Sequence, residues 1–418
     1  MKVLVFAHTP PPFHGQSAMV QVLVDGLGGD ARRRARPSTV TPAAPPTPAF
    51  GIECYHVNAR VSTDLEDVGR MRWGKLFTLL GCCCQAVWLR CRHGVTTFYY
   101  VPAPPKRSAL YRDWVVMALC RPFFRRLIFH WHGVGLGAWL EQQGRGWERR
   151  LAHWFLDGVE VAIVLSALNE ADARRFAPRR CVVVANGLKD PCPEFASTLA
   201  PRRAARVQAR RCLAAGQTPR PELTRQAGPE PGRVNVLFLA HCTREKGLFD
   251  AFEGVRLANA RLEQQPSALR LVLTVVGAFP SPAERAEFER LLAGPGVGAW
   301  ARYAGFVSAP AKLELLRETD VFCFPTYYAY EGQPMNLIEA MAFGVPLVTT
   351  RWRGIPELVP PDYPGLVEPR QPTQVAEALL AVVTAEGDPF RQRYLRAFTL
   401  DRHLACLTTA LRGDAPSA

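Results

Sequence analysis

Short apolar runs with strand character alternate with stretches of helical spacing along most of the chain. In the first half, 3–7, 96–101, 127–131, 161–165 and 181–185 read as strands, and 17–27, 109–120 and 146–156 as helices. Strand then helix, repeated, predicts a parallel sheet covered on both faces. The alternation restarts with strands 234–240, 269–276 and 301–306, interleaved with helices 248–261, 282–292 and 309–317. It continues through the run 320–326, a helix after Pro334, the run 345–350, the short run 365–367 and a helix over 373–383. The pattern predicts an α/β chain of two Rossmann-like, doubly wound halves. Two stretches lack periodicity and are rich in proline, alanine and arginine: 30–50, read as a loop or disordered insertion, and 189–232, with only a short helix near 204–215. The boundaries that follow are a first domain over 1–190, a linker or insertion over 191–232, and a second domain over 233–390. The final stretch, 391–418, reads as a helix amphipathic enough to pack across either half, a return onto the first domain being one of the two options.

A chain of 418 residues with 48% hydrophobic content exceeds what one core usually organises, which agrees with two domains. The net charge of +14 favours anionic partners: nucleic acid, a membrane surface or phosphorylated substrates. Much of the arginine excess lies in irregular stretches such as 202–211, where arginine-rich codon usage would suffice, and no recognition motif is present, so nucleic acid is not an expected partner. The first eight residues read as a strand rather than a signal peptide. The longest apolar stretch, 76–89, is too short to span a bilayer and carries Gln85, so a cytoplasmic protein is expected. The twelve cysteines are scattered apart from Cys82, Cys83 and Cys84, and no CxxC pair occurs. They read as reduced thiols, the triplet as helix packing with Leu79, Leu80 and Trp88. Histidines lack metal spacing, and no metal is expected.

The chemistry concentrates in Glu331-Gly-Gln-Pro-Met-Asn-Leu-Ile-Glu339. Glu331 falls in the loop at the carboxyl end of a strand, and Glu339 a turn inside the helix that Pro334 opens and Gly344 ends. In a doubly wound sheet that edge binds ligands, and the helix start offers unpaired amides and a positive dipole end to a diphosphate. Strand 234–240 runs into His241-Cys-Thr-Arg244-Glu-Lys246-Gly247, a basic turn at a helix start suited to the same anion. Strand 127–131 ends in His132 and Gly133, with His130 and His132 on one face, and a histidine there can bond a sugar hydroxyl or phosphate. The first strand leads to His14, Gly15 and Ser17. Gly15 would let backbone approach a ligand, and Ser17 could cap the helix. A full GxGxxG is absent, which argues against a dinucleotide domain. Asn186-Gly187 is a turn in any fold. Solvated charges, an ordinary basic turn and a satisfied core histidine are the plain alternatives.

Taken in order, Pro12–Gly15, His132-Gly133, Asn186-Gly187, Arg244 to Gly247, Gly277, Gly305-Phe306, Asp320 to Pro325, Glu331 to Glu339 and Gly354 to Glu357 resemble the retaining GT-B glycosyltransferases related to glycogen and sucrose synthases, the group 1 or family 4 type. The resemblance covers nearly the whole chain and is most specific over 300–360. It implies an acceptor domain followed by a domain holding a nucleotide-diphosphate sugar, with no cofactor or metal. Glu331 would contact the donor sugar, Glu339 the ribose hydroxyls and Lys246 the diphosphate. Gly15 and Gly277 would line the donor, the amides around Pro334, Met335, Asn336 and Leu337 would face the pyrophosphate, and His132 would be the active-site histidine. His14 and Asn186 fall to the acceptor side or cleft. The sequence departs from the pattern at His241, where many members have arginine, and Arg244 is the candidate to supply that charge.

The implied activity is a metal-independent, retaining hexosyl transfer to a saccharide or lipid-linked acceptor in envelope or exopolysaccharide synthesis. Basic and aromatic residues interleave over 70–80 and 121–126, which suits the anionic inner face of a membrane. The alternatives are an epimerase or hydrolase on the same fold, a nucleic-acid-binding protein and a nucleotide-sugar-binding protein without turnover.

Overall fold

The computed structural model describes residues 1–11, 15–34, 49–60, 73–102, 104–265 and 267–413. The chain divides into two compact units: Met1–Asn186, Tyr330–Gln333 and the stretch from Asp401 make the first, Gly187–Ala329 and Pro334–Leu400 the second.

The first unit holds strands β1 (Lys2–Phe6), β2 (Glu53–Val57), β3 (Thr97–Tyr100), β4 (Arg126–Trp131), β5 (Val161–Val164) and β6 (Arg180–Val183). They form a parallel sheet in the order β2-β1-β3-β4-β5-β6. Period-two alternation splits each strand between two cores. Val3 and Val5 pack with Ile128, Val161 and Ile163, while Leu4 and Phe6 pack with Phe98, Tyr100 and Phe129. The edge strand β2 is absent from the expectations above, because Glu53 and His56 break its apolar run. Of the cysteine triplet, Cys83 is buried against this core, Cys84 is exposed, and Trp88 is 55% exposed.

The second unit holds β7 (Arg233–Leu239), β8 (Arg270–Val276), β9 (Ala301–Tyr303), β10 (Val321–Phe324), β11 (Leu347–Thr350) and β12 (Leu366–Val367). Their order is β12-β11-β10-β7-β8-β9, again parallel. The order reverses between β7 and β10, so the carboxyl ends of these two strands form the switch point where such sheets bind ligands.

The stretch read as a linker over 191–232 is instead helical, with helices Ala200–Ala214 and Pro221–Ala227 packed on the second unit. The arginine run within it is built into the fold. Arg203 donates to the carbonyls of Thr319 (2.6 Å), Leu316 (3.0 Å) and Arg317 (3.3 Å), satisfying the end of helix Ala309–Glu318. Burial pulls its pKa down to about 10. Arg206 and Arg210 pair with the buried Asp320 at 3.2 and 2.6 Å. Positions 203, 206 and 210 share one helix face.

The last predicted helix is two, Asp388–Ala397 and Leu400–Arg412. The break falls where Leu188 bonds the chain on either side, its amide to the Phe398 carbonyl at 3.0 Å and its carbonyl to the Leu400 amide at 2.9 Å. Leu407, Ala410 and Leu411 complete the first unit's core beside Val20 and Leu23. No described helix is long and apolar enough to cross a membrane.

Candidate active site

In the second unit, the loop after β7 is pressed onto the end of β10. Gly247 has φ +82°, and a Cβ there would lie 2.3 Å from the Pro325 carbonyl oxygen, so only glycine allows this approach. The Tyr327 amide donates to the Glu245 carbonyl at 2.8 Å, and Gly247 opens helix Leu248–Glu263. Lys246 thereby reaches the switch point, its ammonium 4.4 Å from the centroid of the Tyr328 ring. Helix Met335–Ala342 starts beside it: Asn336 Nδ2 donates to the carbonyl of Leu239, the last residue of β7, at 2.8 Å. Asn336 Oδ1 accepts from the Leu337 amide at 2.9 Å, so of the amides expected to face a pyrophosphate this one is already engaged. Glu339, one turn further on, accepts from Lys312 Nζ at 2.6 Å, both groups about three-quarters buried.

Arg244 does not complete this set. Its guanidinium pairs with Glu287 at 2.6 Å and lies 4.2 Å from the Phe249 ring, and its amide donates to Glu284. His241 does not replace it as a cation, because desolvation, helped by nearby Lys246, lowers its pKa. Gly277 has a structural reason: at φ +145°, a Cβ would fall 1.7 Å from the Ala240 carbonyl oxygen. Its amide donates to Gly305 and its carbonyl accepts from the Tyr303 hydroxyl, so neither faces a ligand.

In the first unit, His132 follows β4 and its ring lies 4.1 Å from that of His130, tilted by 34°. His130 is buried beneath it, with Nδ1 2.5 Å from the Tyr99 hydroxyl. Desolvation, with smaller contributions from His132 and His403, holds the His130 pKa well below its ordinary value, so this ring is neutral. The same unit includes Tyr330–Gln333. Gly332 lies against the His132 carbonyl so closely that a Cβ would be 2.2 Å from its oxygen. Gln333 is clamped at both ends: its Oε1 accepts from the Asn186 amide at 2.7 Å, its carbonyl from Asn186 Nδ2 at 3.2 Å, and its Nε2 donates to Leu165 at 3.2 Å. The segment that carries buried Glu331 is thus fixed against the His132 backbone, and Asn186 acts by holding that segment. Gly15 opens helix Gly15–Gly26 with open space at its Cβ position, and Ser17 is buried inside the first turn rather than capping it. His14, with the rest of 12–14, lies outside the described residues.

Residues 233–385 match the family model described as glycosyl transferases group 1. The chain is 29% identical over 151 residues to the amylovoran biosynthesis glycosyltransferase AmsK of Erwinia amylovora. That alignment covers 35% of each protein, so the chain spans about a third of the length of this curated relative. As a structure it is similar to sucrose-phosphate synthase from Thermosynechococcus elongatus, with a TM-score of 0.64, 18% identity and 99% of both chains covered. It is also similar to HepE of Anabaena in complex with UDP, with a TM-score of 0.62, 15% identity, and 99% of this chain and 100% of that one covered. The fold is GT-B.

Within each GT-B unit the expected residues fall into groups. Lys246, Pro334, Met335, Asn336 and Glu339 gather at the second unit's switch point, while His132, Asn186 and Glu331 gather at the end of β4 in the first. Three participants escaped the sequence reading. Lys312 comes from the helix 309–317, to which no chemistry is assigned, Gln333 lies between two motif residues, and Tyr328 lies in the loop before Glu331. The periodicity gave no signal for any of them.

Proposed function

We propose that the protein is a retaining glycosyltransferase that takes a hexose from a nucleotide-diphosphate sugar. The observation that carries this reading is Lys246 at the β7/β10 switch point, beside the amino end of helix Met335–Ala342 and one turn from Glu339. An ammonium and a helix dipole stabilise a leaving diphosphate as charge develops on it, with no metal required. Glu339 suits the ribose hydroxyls, which would compete with Lys312 for its oxygens. Glu331 and His132 suit the hydroxyls of the transferred sugar. The likeness to AmsK favours an acceptor in exopolysaccharide synthesis, a saccharide or a lipid-linked one.

The acceptor side favours a membrane surface. Helix Trp73–His93 exposes Phe77 and Trp88 and ends in Arg90 and Arg92, and helix Gly146–Leu156 exposes Trp147 and Trp154 beside Arg149 and Arg150. Rings at the interface and guanidinium groups at headgroups would hold such an enzyme to the cytoplasmic leaflet. A second reading, nucleotide-sugar binding without turnover, is favoured by neutral His241 and by Arg244 being turned onto Glu287. Proton NMR of the product from an anomerically defined donor tests the main reading. Retained configuration supports it, inversion overturns the retaining step, and saturable donor binding without any product moves the protein to the second reading.

A further inference from the structure

The second unit has a cavity of about 280 Å³ near the amino ends of β7 and β10, away from the switch point. One water needs only ~10–15 Å³ of such space, so this volume admits an organic molecule. Its floor is unusual for a parallel sheet, whose covered faces normally carry apolar side chains. The register aligns Leu237, Thr274 and Arg302 across β7, β8 and β9, and Asn235 lies on the same face two residues before Leu237. Three of these four are polar. Arg202 and Arg206 of helix Ala200–Ala214 and Arg233 of β7 also line the cavity, so four guanidinium groups face two carboxylates, Glu230 and Glu318.

The guanidinium groups are unevenly satisfied. Arg202 is bidentate to Glu318 at 2.6 and 2.7 Å, and Arg233 pairs loosely with Glu230 at 3.5 Å. Arg302 donates Nε to Thr274 Oγ1 at 3.0 Å and, among the described residues, pairs with no carboxylate. Arg206 is 8% exposed and pairs with Asp320, yet its Nε is buried with no hydrogen-bond partner. We propose that this cavity binds a small phosphate-bearing molecule through Arg302, Arg233 and Arg206. With Asp320 counted beside the two glutamates, Arg302 is, among the described residues, the one lining guanidinium left without a carboxylate, which suits an added anion, and guanidinium forks from a helix and two strands suit the tetrahedral oxygens of a phosphate.

Helix Ala309–Glu318 links this cavity to the switch point. Its Glu318 and Leu315 wall the cavity, and Lys312, about 9 Å back along the axis, holds Glu339. A phosphate that draws Arg206 from Glu318, 3.8 Å away, shifts this helix and with it the Lys312–Glu339 pair, so occupancy tunes nucleotide affinity. This coupling rests on the donor-site reading above; the anion site does not.

Calorimetric titration of the full chain with glucose 1-phosphate, inorganic phosphate, glucuronate and glucose tests the site. Expected are saturable binding of the phosphates, none of glucose, at least tenfold weakening by Arg302→Ala and by Thr274→Val, and no change in Lys246→Ala. Tighter binding of glucose 1-phosphate than of inorganic phosphate assigns an organic phosphate, and the reverse order free phosphate. Absence of saturable phosphate binding, or binding lost in Lys246→Ala and kept in Arg302→Ala, overturns the site. Glucuronate binding as tightly as the phosphates overturns the phosphate assignment. For the coupling, saturating glucose 1-phosphate should change UDP affinity at least threefold in the parent and not in Arg302→Ala, and an unchanged affinity in the parent overturns it.

Discussion

Four histidines share one electrostatic state for one reason. Desolvation is the first cause that lowers the pKa of His56, His130, His241 and His403, and each resists protonation in the native fold. The unfolded chain takes up these protons near pH 6.5, so it binds more of them than the native state below that pH. Stability is therefore full above pH 6.5 and declines as pH falls through the window beneath it. The melting temperature should drop between pH 7 and pH 5.5, before carboxylates titrate, and His130→Gln should flatten that slope. Identical slopes for the parent and the variant would contradict the account of His130. At this scale, the strand–helix pattern places His132, Lys246 and Glu331 in loops after strands and Glu339 inside a helix, and the structure has them at those positions because spacing from a strand end is fixed by the fold. Arg244 went astray because spacing places a backbone and says nothing of where a guanidinium turns, here toward Glu287 and Phe249.

Among elements, the segment Tyr330–Gln333 and the helix Ala200–Ala214 carry the sharpest consequences. The Gly332 approach to the His132 carbonyl leaves no room for a methyl group, so Gly332→Ala must displace the backbone beside Glu331. Kinetics with whichever nucleotide sugar the protein accepts should show kcat/KM reduced about 100-fold, the order of loss that a misplacement of about 1 Å produces. Activity within twofold of the parent would remove the segment's positioning role. Asp320→Ala deprives Arg206 and Arg210 of their shared buried carboxylate and should cost about 3–5 kcal/mol in urea unfolding, as for other broken buried pairs. Glu318→Ala, which breaks an exposed pair with Arg202, should cost under about 1 kcal/mol. Equal costs would refute the buried network. Strand and helix types were legible from periodicity through both sheets. The arginine helix was hidden by composition, since Ala, Arg and Pro mark a solvated linker unless the arginines find buried acceptors, and those acceptors, Asp320 and the carbonyls near Thr319, come more than a hundred residues later.

For the whole molecule, the two doubly wound units follow from chain length and from the restart of the strand–helix alternation after residue 232. That Tyr330–Gln333 groups with the first unit was beyond a local pattern, because such grouping depends on contacts between segments distant in sequence. The exposed rings of Phe77 and Trp154 give the membrane reading its test. The protein should float with vesicles rich in anionic lipid and not with zwitterionic ones, and Phe77→Ser with Trp154→Ser should abolish flotation. Failure of the parent to bind anionic vesicles would remove the membrane from the account.

The most direct measurement is the melting temperature of the purified protein with UDP, GDP, ADP and their common sugars, repeated in Lys246→Ala and Glu339→Ala. One nucleotide series should stabilise the parent, by about 2.7 kcal/mol at a hundredfold excess over Kd, and both substitutions should shrink that shift. No shift with any nucleotide in a folded protein, or a shift indifferent to both substitutions, would contradict the donor site at the β7/β10 switch point.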